Sequence, residues 1–144
     1  MYSQDIDTLA RTLYGEARGE FTRTDGGLSS LIAVANVVMN RVKRKTWFGK
    51  TISQVCLKPY QFSCWNTSDP NRPLILQADP REDSVFGTCL LVAEKVMEGK
   101  WPDLTKDSDH YYAIWMERAP KWSLGHKPTV KIGQHVFFRL NPKK

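Results

Sequence analysis

The chain lacks most of the features that would assign it quickly. No apolar stretch approaches the ~20 residues that a bilayer-spanning helix requires. The start, Met1-Tyr2-Ser3-Gln4-Asp5, carries no basic segment followed by an apolar block, so no secretory signal is read there. There are three cysteines, Cys56, Cys64 and Cys89. An odd number in a chain without a leader argues against a disulfide framework, and no Cys-x-x-Cys spacing suggests a zinc ribbon. Cys89 lies in an apolar helical pattern and reads as a small core residue; Cys56 and Cys64 are left open to pair or not. The three histidines, His110, His126 and His135, show no His-Glu-x-x-His spacing. No metal and no cofactor is expected. Internal repeats, linkers, low-complexity segments and nucleic-acid signatures such as a helix-turn-helix are missing too.

What remains describes one compact domain. A length of 144 residues suffices for a substantial core. The net charge is +6, with Lys43, Arg44, Lys45 and Lys50 in one run and Lys143 and Lys144 at the end. A basic surface attracts polyanions at long range without naming them.

Apolar periodicity places three helices. The first covers about 6–17, with Ile6, Leu9, Ala10, Leu13, Tyr14 and Ala17 on one stripe. The second covers about 28–44, with Leu28, Leu31, Ile32, Ala35, Val38, Met39 and Val42 on one face and Thr24 or Asp25 as a candidate cap. The third covers about 84–98, with Phe86, Cys89, Leu90, Ala93, Val96 and Met97 inward and Gly99 as its stop. Residues 47–81, broken by Pro59, Pro70, Pro73 and Pro80, read as a mostly irregular insert of the functional kind. Short extended runs follow at 111–115 and 129–138. Helices first and strands last indicate an α+β fold.

The segment Leu13-Tyr14-Gly15-Glu16-Ala17-Arg18-Gly19-Glu20 stands out. Glu16 falls at the edge of the first apolar stripe, where apolar surroundings disfavour the charged carboxylate and raise its pKa. A general acid working near neutral pH needs this property. Gly15 and Gly19 leave room for a bulky group beside the backbone. Equally, Gly19 can be the stop of a frayed helix with solvated acids around it.

Four further motifs follow in order. They are the Gly27–Val42 run containing Asn36 and Asn40; Pro59-Tyr60-Gln61-Phe62-Ser63-Cys64-Trp65-Asn66; Asp109-His110-Tyr111-Tyr112-Ala113 with Ala119-Pro120-Lys121-Trp122; and Ile132-Gly133-Gln134-His135-Val136-Phe137-Phe138-Arg139. Together with the Gly-Glu-Ala-Arg-Gly-Glu motif, their order and spacing resemble the SleB-type cell-wall hydrolases, the spore cortex-lytic enzymes and related phage endolysins. The resemblance runs from near Leu9 to near Arg139.

It implies a small lysozyme-like single catalytic domain over 1–144, with N-terminal helices and a short C-terminal antiparallel sheet. It further implies a peptidoglycan-cleaving endolysin acting as a lytic transglycosylase. One glutamate protonates the bridging oxygen and then accepts a proton from the substrate's own C6 hydroxyl, so the attached nucleophile replaces a second carboxylate. The resemblance puts that glutamate in the motif, carried here to Glu16 with Glu20 as the rival. The partners expected are peptidoglycan and the anionic cell envelope, with no specific nucleic acid, and the chain is expected to be a monomer. It would stay in the host cytoplasm until released to the periplasm or wall.

Supporting residues are read from their chemistry. Asn40 either orients a carboxyl or binds an acetamido group, or else bonds to backbone near a helix end. Gln61, Phe62, Ser63, Trp65 and Asn66 join aromatic faces to polar groups, which suits sugar rings, while Phe62 and Trp65 serve equally as core. By strand alternation His110 and Tyr112 share a face, taken as the cleft side, and Tyr111 takes the other. His135 reads as packing between strands. In Lys106-Asp107-Ser108-Asp109-His110 two acids stand where many family members have small residues. A second carboxylate near the cleft would permit lysozyme-type hydrolysis with a water nucleophile. Two other readings are a zinc-dependent peptidoglycan amidase using His110, His126, His135 and Asp109, and a non-enzymatic basic module binding wall or DNA.

Overall fold

The computed structural model describes residues 3–23, 26–59 and 61–140. Helix α1 (Gln4–Thr22) starts where the Ser3 side chain accepts from the Ile6 N–H, and it has Asp5 and Asp7 in its positive first turn. Helix α2 (Gly27–Arg44) ends with Arg41, Lys43 and Arg44 in its last turn and Lys45 in the left-handed region. The suggested caps Thr24 and Asp25 lie outside the described residues, as do Lys143 and Lys144. Two short helices, α3 (Ile52–Leu57) and α4 (Arg72–Gln77), and a 3-10 turn at Ser63–Trp65 occupy the proline-rich insert, which therefore has more order than its sequence suggests. Helix α5 (Ser84–Met97) is capped by Asp83, whose carboxylate accepts from the N–H groups of Val85 and Phe86. It stops at Gly99, whose φ of +73° suits glycine.

Leu9, Leu13, Leu31, Val34, Val38, Phe86, Cys89 and Val92 are fully buried where α1, α2 and α5 meet. Each large apolar side chain buried this way contributes about 1.5–3 kcal/mol. Strands β1 (His110–Ala113), β2 (Val130–Ile132) and β3 (His135–Phe138) form an antiparallel sheet in the order β1-β3-β2. Tyr111 pairs with Phe137, and Ile132 with His135. The sheet rests on α2 through Phe137, Ala33 and Val37. That contact explains why α2 buries more than the single face read from its periodicity: Ala33 and Val37 meet the sheet while Leu31, Ala35 and Val38 meet the helices. Leu28, expected inside, is 41% exposed. Among the described residues, no helix is long and apolar enough to cross a membrane.

Helix α1 does not stop at Gly19. It runs through Gly19 and Glu20, and Gly19 has open space around it. Glu20 is buried, and its Oε1 accepts from the Gln134 backbone N–H at 2.6 Å. This bond ties the end of α1 to the β2–β3 turn, where Gly133 has φ +58° and any Cβ would lie 2.7 Å from the Glu20 carboxylate. All three cysteines are free and buried, so Cys56 and Cys64 are not bonded to each other.

Candidate active site

Glu16 sits one turn before Glu20 on the same side of α1, facing the sheet. It is held from two directions. From β1, the Tyr111 hydroxyl donates to Glu16 Oε1 at 2.6 Å. From the insert, Cys64 packs so close to α1 that a Cβ on Gly15 would stand 2.7 Å from its Cβ and Sγ. Glycine at 15 is thus required by a neighbouring side chain of the protein itself.

The carboxyl lies deep among protein atoms, and burial pushes its pKa above the usual carboxylate range. Hydrogen bonds from Tyr111 and Cys64 oppose the rise, and the charge of Asp69 adds to it. Burial and the adjacent Glu16 raise Tyr111 well above an ordinary tyrosine. Burial also lifts the Cys56 thiol to about 12 and raises Cys64 as well, so both stay protonated.

Above Glu16 opens a cleft of about 420 Å³. Gly15, Glu16, Arg41 and Tyr111 belong to its lining, with Gln61, Phe62 and Ser63 from the insert. Tyr112, Trp115, Trp122 and His135 line it from the sheet and the loops beyond. Among the described lining residues, Glu16 is the only carboxyl.

The structure brings four of the expected binding residues to this cleft: Gln61, Phe62, Ser63 and Tyr112. It draws three others elsewhere. Asn40 is buried on α2, where its Nδ2 donates to Asp103 Oδ2 at 2.9 Å and to the Ser108 carbonyl at 2.8 Å. It does orient a carboxyl, but that of Asp103 in the loop after α5. The Trp65 indole donates to Thr12 Oγ1 at 2.9 Å and packs beneath the insert. The His110 ring lies on Trp122 and Phe48, with Nδ1 2.8 Å from Asp109 Oδ1.

Alternation in β1 is as read, with His110 and Tyr112 sharing the Trp122 side. The face next to the acid, however, is the one carrying Tyr111. The helix layer lies on that face, and Glu16 comes from a helix. Sequence reasoning missed Tyr111, Arg41, Trp115 and Trp122 as lining residues. The Ala-Pro-Lys-Trp motif was the available signal for Trp122. His135 packs on Tyr111 as expected of a strand residue, yet it also lines the cleft, and burial lowers its pKa by disfavouring the imidazolium.

The two acids before β1 do not supply a second cleft carboxylate. Asp109 is fully buried between Arg44 Nε at 3.3 Å and His110. Asp107 pairs with Arg44 and Arg139. Arg44 is consequently removed from the basic run, its side chain 3% exposed. The histidines also diverge: His110 bonds to Asp109, His126 is exposed and His135 faces Tyr111. Among the described residues, no three His, Cys, Asp or Glu side chains group as metal ligands.

A single carboxyl with a raised pKa beneath an open, polar-aromatic cleft is a site for acid catalysis on a bulky, oxygen-rich substrate. The sequence profile of the cell wall hydrolase family matches residues 27–138, and the chain belongs to that family. It is accordingly an enzyme that degrades the bacterial wall. Its structure is similar to the catalytic domain of the Bacillus cereus SleB protein, with a TM-score of 0.72 and 28% identity, covering 96% of this chain and 93% of that one. It is also similar to the catalytic domain of the germination-specific lytic transglycosylase SleB from Bacillus anthracis, with a TM-score of 0.70, 28% identity and coverage of 96% and 97%. A search of the curated proteins found no match. The family profile begins with α2 and leaves Glu16 outside, whereas the structural likeness extends over nearly the whole chain.

Proposed function

We propose that this enzyme cleaves the glycan strand of peptidoglycan as a lytic transglycosylase, with Glu16 as the sole acid and base. Glu16, whose protonated form is favoured by burial, gives its proton to the oxygen bridging two sugars. The resulting carboxylate takes the proton of the C6 hydroxyl on the sugar that has lost its partner. That oxygen bonds to C1 and closes a 1,6-anhydro ring. No water is consumed, so the products differ from those of lysozyme-type hydrolysis. The single observation that carries the reading is that Glu16 is the only carboxyl among the described residues lining the cleft: a retaining glycosidase needs a second carboxyl group about 5 Å from the first, and an inverting one needs it about 6.5–9.5 Å away to activate water. The acids nearest to β1 are held in ion pairs with Arg44. The lytic transglycosylase among the similar structures supports the same choice.

Gln61, Ser63, Phe62 and Tyr112 are proposed to hold the sugars, with Trp115, 69% exposed, and Trp122 stacking on rings at the mouth of the cleft. The physiological role we assign is that of an endolysin, released from the cytoplasm to reach the wall. The net charge of +6 favours approach to an anionic envelope. Digestion of purified peptidoglycan by the Glu16→Gln variant tests the acid: its rate is expected to fall by about 100-fold or more, with the fold retained. Undiminished digestion refutes it.

A further inference from the structure

Arg41 is not accounted for by the chemistry of Glu16. It lines the cleft, yet its side chain is enclosed, with the residue only 5% exposed. Two rings pack against its guanidinium, Phe48 at 4.7 Å and Phe62 at 5.2 Å. Its N–H edge is left for hydrogen bonding. Nε donates to the Asp109 carbonyl at 2.8 Å, which aims the planar group. Nη1 is buried with no acceptor among the described residues.

An unpaired buried donor is costly, and more so when charged. Anchoring the start of β1 needs the Nε–H alone and does not explain a forked cation in the cleft. The cleft lining also offers that charge little compensation. Arg41 is the only Arg or Lys among the described lining residues, and the only carboxyl, Glu16, has its charged form disfavoured by burial. The Asp109 carboxylate is already engaged by Arg44 and His110. Cleavage of a glycosidic bond builds positive charge on the sugar, and an unneutralised guanidinium beside it opposes the reaction. A carboxylate arriving with the substrate would satisfy the donors and cancel the charge together, and the fork suits two carboxylate oxygens.

The sugar rings, hydroxyls and acetamido groups of the wall glycan are neutral. Carboxylates occur only on its side groups, either the lactyl ether of the muramic sugar or the peptide stem attached to it. We propose that Arg41 is a specificity-determining residue that binds a carboxylate on the muramyl side group. The inference rests on the reading of the cleft as a glycan site.

Binding to the Glu16→Gln protein, which holds substrate without turning it over, tests the proposal. Three soluble glycan fragments are compared by calorimetry: one with intact stems, one stripped to free lactyl carboxylates, and one stripped with those carboxylates converted to methylamides. The methylamide is expected to bind about tenfold more weakly, or worse, than at least one carboxylate form. Whichever carboxylate form binds tightly identifies the lactyl or the stem as the source. Glu16→Gln/Arg41→Gln is expected to bind all three alike, at the methylamide's affinity. Glu16→Gln/Arg41→Lys guards against loss of folding. It keeps the charge without the fork, and its discrimination is expected to shrink severalfold. Equal binding of all three fragments by Glu16→Gln overturns the proposal. So does full discrimination in either double variant, or equal weakening of every fragment by Arg41→Gln. If Glu16→Gln still digests the wall, the glycan-acid reading fails separately, because these binding ratios do not depend on turnover.

Discussion

Glu16 and Glu20 are the same residue type four positions apart on one helix, and their surroundings give them different work. Glu20 meets the Gln134 backbone N–H and Arg23, and its work is to tie the helix end to the β2–β3 turn. Glu16 meets a neutral hydroxyl and a thiol, so burial prevails and its pKa rises. A raised folded pKa means that the folded protein binds this proton more tightly than the unfolded chain. The associated stability is full below the ordinary carboxylate pKa and is lost as pH rises through the folded value. Glu16→Gln is therefore expected to melt at a higher temperature than the wild type at alkaline pH, with the difference vanishing at acidic pH. Melts at the two extremes check this. The Tyr111 hydrogen bond lowers the Glu16 pKa, so Tyr111→Phe should move the alkaline limb of the rate profile to higher pH. A limb that stays put or moves down would show that Tyr111 does not tune the acid. The position of Glu16 at the edge of an apolar stripe was legible in the sequence. Its partner was not, because alternation gives two faces of a strand without saying which one the helices cover.

Glycine had opposite meanings at two positions of α1. Gly19 resembled a helix stop, yet the helix continues, because Ala17 and Glu20 on either side are buried against the rest of the fold. Interior glycine costs about 1 kcal/mol, and the surrounding packing absorbs it. With open space around it, Gly19→Ala is expected to stabilise the protein by about 0.5–1 kcal/mol, measured by denaturant titration, with activity unchanged. Gly15→Ala should do the reverse and destabilise by about 1–3 kcal/mol, since Cys64 blocks the methyl group and must shift with its 3-10 turn. Glu20→Ala should cost about 1–3 kcal/mol by removing the buried carboxylate that accepts from the Gln134 N–H, while each folded molecule keeps Glu16. The long helices were readable because periodicity over many residues is redundant. The short α3 and α4 were not: six residues carry too little pattern, and their order comes from contacts with α1. Arg11 of α1, for example, donates to the Ile75 and Ala78 carbonyls at the end of α4.

Taken together, the molecule is a helical platform with a small sheet laid across α2, and the cleft lies where α1, the insert and the sheet meet. Each contributes one kind of group: α1 the acid, the insert Gln61, Phe62 and Ser63, the sheet and following loop the tyrosines and tryptophans. Motif order in the sequence foretold the α+β layout, and it singled out Glu16, which the structure places at the cleft. It could not foretell that Asp107 and Asp109, which suggested a second catalytic carboxylate, are ion-paired beneath the loop, because Arg44 reaches them across more than 60 positions of chain. With those acids removed from the cleft, the proposed mechanism assigns both proton transfers to one carboxyl, and the reaction product records whether that is so. Mass spectrometry of purified peptidoglycan digested by the wild-type enzyme is the most direct test. Fragments ending in 1,6-anhydromuramic acid are the expected result. Reducing muramic ends, carrying the added mass of water, or free stem peptides would contradict it.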